Sequence, residues 1–296
     1  MQNISIIFLS ILLESLPYLL LGSIISAIIE RYVTDEMIVK WIPKNKILGS
    51  ITGVLLGFFI PACDCAIIPV SRKLIQKKVP LNVAVSFMLA SPIINPVVLL
   101  STYQAFKNSN PEMIWYRLIL GIMISLIIGI ILGILQKEDI LLEQKENKEE
   151  HCHCDHHKKE KGWKNTVKEI LEHAAYDFTD VLKYMIIGSL IASIVQVFLP
   201  KELMNTFQSN SILSIFVLMT FAYIISLCST SDSFIGSSLL QVFQKEAILA
   251  YLIVGPMIDI KNTIVLLGSY KKSFVIQLIA LIFGVTFLSI LVVMAL

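Results

Sequence analysis

The sequence predicts an all-α integral membrane protein, a polytopic helical bundle of about eight spans in two homologous halves with broken or re-entrant helices. Three observations predict it. Of 296 residues, 56% are hydrophobic and only 16% charged, with a mean hydropathy of +0.77, where a soluble domain carries roughly a quarter charged residues. The charges gather between long apolar runs, the layout imposed by a hydrocarbon core that takes about 20 apolar residues to cross. A segment near the N-terminus is also repeated after a polar linker.

Taken in order, the candidate spans are 4–30, 47–62, 81–106, 113–136, 178–199, 211–228, 246–268 and 274–296. The first has no positively charged lead and contains Glu14 and Pro17, so it reads as a retained span rather than a cleaved signal. Between the fourth and fifth, Gln136 to Glu172 is too polar to bury a core and reads as a flexible linker. It holds eight of the 24 Lys and Arg residues, which places it on the cytoplasmic side of the cell membrane. The organisation is therefore a first membrane repeat over 1–136, a His/Cys-rich charged linker over 137–175, and a second membrane repeat over 176–296.

The repeat is visible in LESLPYLLLGSIISAII (Leu13–Ile29) against TDVLKYMIIGSLIASIV (Thr179–Val195). Six of 17 aligned positions are identical, including Tyr18/Tyr184, Gly22/Gly188 and Ser23/Ser189, while Glu14 faces Asp180. Further on, Ser91-Pro92-Ile93-Ile94-Asn95 aligns with Gly255-Pro256-Met257-Ile258-Asp259, and Cys63 falls near Cys228. Four spans per half make such repeats parallel and an odd number makes them inverted; the short segments 64–78 and 229–243 leave both open.

Polar residues interrupt the apolar runs at matching places. Pro61 and Pro69 flank Cys63-Asp64-Cys65, and proline discourages continuous helix because it lacks the amide donor. The partner stretch Cys228-Ser229-Thr230-Ser231-Asp232-Ser233 follows an apolar span directly. Irregular backbone at membrane depth is tolerated where protein buries it or where it lines a wet cavity. Singly, each feature has a bland reading: cysteine as a small hydrophobe, the hydroxyls as a helix cap or packing surface, Pro61 as a span end. Paired breaks in two halves point instead to a transport site. A second pair sits at Asn95, between Pro92 and Pro96, and at Asp259, three residues past Pro256. A carboxylate at that depth is a functional candidate; the alternative for Asp259 is an interfacial position paired with Lys261. The candidate substrate-binding residues are thus Cys63, Asp64, Cys65, Asn95, Cys228, Ser229, Ser231, Asp232 and Asp259, with Pro61, Pro69, Pro92, Pro96 and Pro256 as structural breaks.

In the linker, His151, Cys152, His153, Cys154, His156 and His157 are ligands suited to zinc or copper(I), although their tight spacing lacks the separated pairs of a structural zinc site. A captured metal ion there is the one cofactor the pattern suggests, against a merely solvated tract. A net charge of +2 without a basic, aromatic-laced stripe gives no sign of nucleic-acid binding. Phosphate-loop, HExxH and nucleophile-elbow signatures are absent, so nothing points to an enzyme. The expected partners are the lipid bilayer and a small solute; no feature sets the oligomeric state.

Pro61-x-Cys63-x-Cys65 with Leu89-Ala90-Ser91-Pro92-x-x-Asn95-Pro96, and Cys228-Ser229-Thr230-Ser231-Asp232 with Gly255-Pro256-Met257-x-Asp259-x-Lys261, resemble the ArsP-type permeases. That family of predicted membrane permeases includes efflux proteins for trivalent arsenicals, and the resemblance covers nearly the whole chain. It implies a multi-pass inner-membrane transporter, some members exporting arsenite or organoarsenicals; the leading reading of the chain is secondary, proton-linked efflux of a thiophilic metalloid such as trivalent arsenic or an organoarsenical. A divalent-metal or sulfur-oxyanion permease, and a membrane thiol-redox or metal-sensing protein, are the alternatives. The family usually reads Pro-x-Cys-Ser-Cys-Gly; here Asp64 and Ala66 stand in place of Ser and Gly, and the added negative charge disfavours an anionic solute. On this resemblance Cys63, Cys65 and Cys228 would face one cavity as a soft, exchangeable site.

Overall fold

The computed structural model of the chain describes residues 2–32, 43, 45–59, 64–136, 140–141, 163–198, 211–240 and 242–295. Those residues form twelve helices: α1 (Gln2–Tyr32), α2 (Lys46–Phe59), α3 (Asp64–Gln76), α4 (Leu81–Ile94), α5 (Pro96–Phe106) and α6 (Met113–Leu135), then α7 (Trp163–Phe198), α8 (Ser211–Ile225), α9 (Ser229–Leu239), α10 (Lys245–Met257), α11 (Ile260–Ser269) and α12 (Lys272–Ala295). The second six follow the first in order and approximate length. Helix α7 begins at Trp163, inside the stretch 137–175 assigned to the linker.

Among the described residues, six segments are long and apolar enough to cross a membrane: Ile4–Ile29, Leu81–Phe106, Met113–Leu135, Ile170–Val197, Lys245–Ser269 and Lys272–Ala295. The spans expected at 47–62 and 211–228 are shorter, with α2 at 14 residues and α8 at 15. At 1.5 Å per residue each covers roughly 21–23 Å, less than the ~30 Å of hydrocarbon.

Glycine contacts explain where α2 goes. Gly49, Gly53 and Gly57, one turn apart, face Asn82, Val83 and Ser91 of α4 in that order, so α2 and α4 run parallel. A Cβ at Gly53 would sit 2.3 Å from the Val83 carbonyl oxygen; only glycine permits this approach, as at small-residue helix interfaces in membranes. Helix α3 joins α4 through the turn at 77–80, where Lys78 has φ 62°, and Ser71 Oγ lies 3.6 Å from Met88 Sδ. It therefore runs antiparallel to α4, and so to α2. Together α2 and α3 form a hairpin that enters and leaves at one end of the bundle.

That end also holds the start of the linker. Gly133 of α6 packs on Asn82 at the beginning of α4, Lys271 N–H donates to Ile140 O at 2.9 Å, and Leu141 bridges Tyr270. At the opposite end Lys245 lies 3.6 Å from Glu112. Spans α4–α5 and α10–α11 consequently run in opposite directions, the first away from the linker and the second toward it. Helix α9 is antiparallel to α10, since Gly236 meets Leu252 and Ile248 while Gly255 meets Asp232.

The two broken spans are the centre of the bundle. In their most apolar stretches 78% and 83% of residues are buried, against 17–39% in the other four. Exposed Leu13, Trp115, Ile187, Ile276 and Leu288 on α1, α6, α7 and α12 form the apolar outer surface that lipid requires.

Candidate functional site at the helix breaks

Both central spans break at an extended residue that caps the next helix. Pro96 lacks an amide hydrogen and excludes helical backbone at Asn95, which takes φ −56° and ψ 132°. The Asn95 side chain then accepts from Val97 N–H at 2.9 Å. In the second span Ile258 and Asp259 are both extended, and Asp259 Oδ1 accepts from Asn262 N–H at 2.6 Å. Each cap satisfies one of the amides that a helix start leaves open. Pro92 and Pro256 lie one turn upstream, inside α4 and α10.

The breaks differ in charge. Asp259 is 0% exposed, and Lys261 Nζ, itself only 3% exposed, lies 3.6 Å from Asp259 Oδ2. The expected pairing is present, and both residues are buried inside the protein. Asp259 Oδ2 and Asn262 Oδ1 have no hydrogen-bond partner among the described residues.

A second pair of breaks belongs to the hairpins. Between α8 and α9, Ser226 holds φ 51°, a strained left-handed conformation for a residue with a side chain. The Ile225 carbonyl freed there accepts from Gln196 Nε2 of α7. Cys228 is the N-cap of α9, its Sγ 3.4 Å from Thr230 Oγ1. Ser229 and Asp232 are buried, whereas Ser231 is partly exposed and donates to Glu14 Oε1 at 3.3 Å. Asp232 Oδ1 accepts from Tyr251 Oη at 2.9 Å and lies against Gly255, one turn before Asp259. At the matching break between α2 and α3, Pro61 and Cys63 lie outside the described residues. Asp64 and Cys65 open α3, but their side chains also lie outside them; Pro69 is inside α3 and buried. His151, Cys152, His153, Cys154, His156 and His157 fall outside them too.

A buried group that sequence reading passed over joins the two series. Arg117, 0% exposed, donates through Nη1 to Thr102 Oγ1 at 2.7 Å and to Ser233 Oγ at 2.8 Å, tying α6 and α5 to α9. Its signal was available, since Arg117 is the lone charge in the apolar run Met113–Leu135 and such a residue is seldom idle. Tyr251 had no signal, because only packing brings it to Asp232; Ser233 lay in the polar stretch read from the sequence, but only packing brings it to Arg117.

The model of a family described as predicted permeases matches residues 1–295. The chain belongs to the ArsP-type family of predicted permeases. It is 41% identical over 276 residues to the UPF0718 protein YcgR of Bacillus subtilis (strain 168), covering 93% of this chain and 92% of that one. It is 37% identical over 273 residues to a Streptococcus mutans protein named "Putative two-component membrane permease complex subunit", covering 92% and 89%. No solved structure matches the chain significantly.

In this multi-pass membrane permease, polar chemistry at the breaks comes from carboxylates, hydroxyls, one ammonium and the Cys228 thiol. A separate ionic cluster lies toward the linker end: Arg72 to Asp180 at 3.1 Å, Lys73 to Asp177 at 3.6 Å, and Ser26 donating to Asp177 at 2.8 Å. Beside it Tyr270, between the last two spans, shares a hydrogen bond of 2.9 Å with Ser71, and burial pushes its hydroxyl up to about 12. Tyr270 thus stays protonated across the physiological range.

Proposed function

We propose that the permease works as a secondary transporter whose solute passes between α1–α6 and α7–α12, read as two repeats of inverted direction. The observation that carries this reading is the Asp259–Lys261 pair, fully buried at a helix break in the most buried span. Burying a charge pair in a membrane protein costs free energy that lipid-facing packing does not return, so such pairs mark ion or substrate paths. Opposed half-helix termini at the centre of an inverted repeat are a common build for solute sites. Protonation and deprotonation of Asp259 give a proton-coupled step without any nucleotide.

The solute class we assign is a thiophilic metalloid in its trivalent, neutral hydroxylated or methylated form. Cys228 caps one hairpin break, Cys63 and Cys65 belong to the other by sequence, and the nearby carboxylates discourage anions. The direction is export, from the side of the basic linker. By likeness to the Streptococcus mutans relative, a second membrane subunit is its partner.

Everted vesicles containing this chain, with and without the product of a co-expressed candidate subunit, test the reading. Uptake of arsenite or methylarsenite, lost on Cys228→Ser and on collapse of the proton gradient, is the expected result. Uptake of zinc instead, or flux indifferent to the gradient, overturns the metalloid or the coupling assignment respectively.

A further inference from the structure

Identical residues in the two aligned segments rest on different partners. Gly22 of α1 packs on Ala66 of α3, where a Cβ would lie 2.7 Å from the Ala66 Cα. Its aligned counterpart, Gly188 of α7, packs on Lys261 of α11, with a Cβ 3.0 Å from the Lys261 carbonyl oxygen. Tyr184 of α7 lies over Gly268 of α11, and a Cβ there would come 2.6 Å from the ring. The aligned Tyr18 of α1 is 42% exposed.

Full two-fold symmetry would give each repeat the same contacts. If α1 packs on α3, α7 should pack on α9; if α7 packs on α11, α1 should pack on α5. Among the described residues α1 packs along α3 and α7, and α7 along α1 and α11, while neither packs along α5 or α9. Both α3 and α11 reach the linker end, where Ser71 meets Tyr270 and the ionic cluster Arg72–Asp180, Lys73–Asp177 and Ser26–Asp177 binds α1 and α7 in place. Toward the other end, Ser231 of α9 donates to Glu14 of α1 at 3.3 Å. The α1–α7 pair is therefore docked on α3 and α11, with its charged ties at the linker end.

We propose that α1 and α7 form a rocking gate, and that Tyr18 and Tyr184 are its two alternating docking residues. This rests on the permease reading. In an inverted repeat the second state follows when the two halves exchange conformations. The register fixes what the exchange produces. Tyr18 stands to Tyr184 at an offset of 166, and Asn95 to Asp259 at 164, so the counterpart of Gly268 is Gln104. Helices α3 and α9 start 165 apart, so the counterpart of Ala66 is Ser231. In the second state Tyr18 docks on α5 at Gln104, an exposed position here, and Gly188 docks on α9 at Ser231. The linker-side cluster opens as they do. Solute is then reached from the linker side, whereas in the present state it is reached from the opposite side.

Two cysteine pairs in the full chain test this: Tyr184→Cys with Gly268→Cys for the present state, and Tyr18→Cys with Gln104→Cys for the exchanged one. Removing the Tyr184 ring makes the room that a side chain at position 268 requires. Single variants report background from the native thiols, and peptide mass spectrometry after bismaleimide treatment in vesicles identifies each link. Both links are expected, each excluding the other in the quadruple variant, and each abolishing solute flux. A Tyr184–Gly268 link without any Tyr18–Gln104 link overturns the gate. Absence of the first link overturns the docking geometry on which it stands. If both links form and exclude one another while no solute crosses, the gate stands and the proposed solute fails.

Discussion

The breaks at Asn95 and Asp259 are made by the same local means and carry opposite chemistry. Each lies after a proline-containing half-helix, takes extended backbone, and caps the following helix with a side-chain oxygen. At the first the cap is a neutral amide. At the second it is a carboxylate beside a buried lysine. Helix breaking therefore needs no charge in this fold, and the Asp259–Lys261 pair calls for an explanation in function. The first half contributes its own buried charge elsewhere, at Arg117, where it ties α5 to α9 across the halves.

Making the second break resemble the first is the severest test. Asp259→Asn keeps the cap but removes the carboxylate that faces the buried Lys261, at a cost of about 3–5 kcal/mol. Flux should vanish and the melting temperature in detergent should fall. Asp259→Asn with Lys261→Met should recover the melting temperature but not the flux. Recovery of both would reduce the pair to a structural device.

Next in size is Arg117→Met, which removes charged hydrogen bonds to Thr102 and Ser233 worth roughly 2–3 kcal/mol. Thermal unfolding should show that loss, and Arg117→Lys should recover part of it. Equal stability of Arg117→Met and the parent would mean that the α5–α9 contact holds without the guanidinium.

Giving the first break the second's charge is milder. In Asn95→Asp no lysine stands at the matching position, which is Val97. The new carboxylate should take up a proton rather than remain charged, costing about 1–3 kcal/mol as a buried polar group. Flux should persist with a changed dependence on external pH. Smallest is Asn95→Ala, the loss of one cap bond at about 1 kcal/mol, read as a slight drop in melting temperature with flux retained.

Much of this was legible in the residues. The long apolar runs gave the membrane class, since charge exclusion is written into composition. Pro92, Pro96 and Pro256 gave the breaks of the central spans, because proline's missing donor acts locally. For the runs at 47–62 and 211–228, hydropathy reports only that a segment is apolar. It does not say whether the chain continues or turns back, and the glycine contacts of α2 with α4 decide that. Asp259 reads as a functional candidate, with an interfacial pairing to Lys261 as the alternative; the burial of both residues was not legible, because it depends on which helices pack around them.

By itself, then, the sequence determined the solvent, the helical class and the positions where helices stop, all consequences of local composition and proline geometry, while its motifs carried the resemblance to the permease family. Tertiary structure decided the rest. It set the hairpin return of α3, the burial of Asp259 and Lys261, the bridge from Arg117 to Ser233, and the different seats of Gly22 and Gly188. These depend on which helices approach each other and from which end. Two identical glycines in aligned segments carry no mark of the neighbour each will meet, because that is fixed by the packing of the whole bundle.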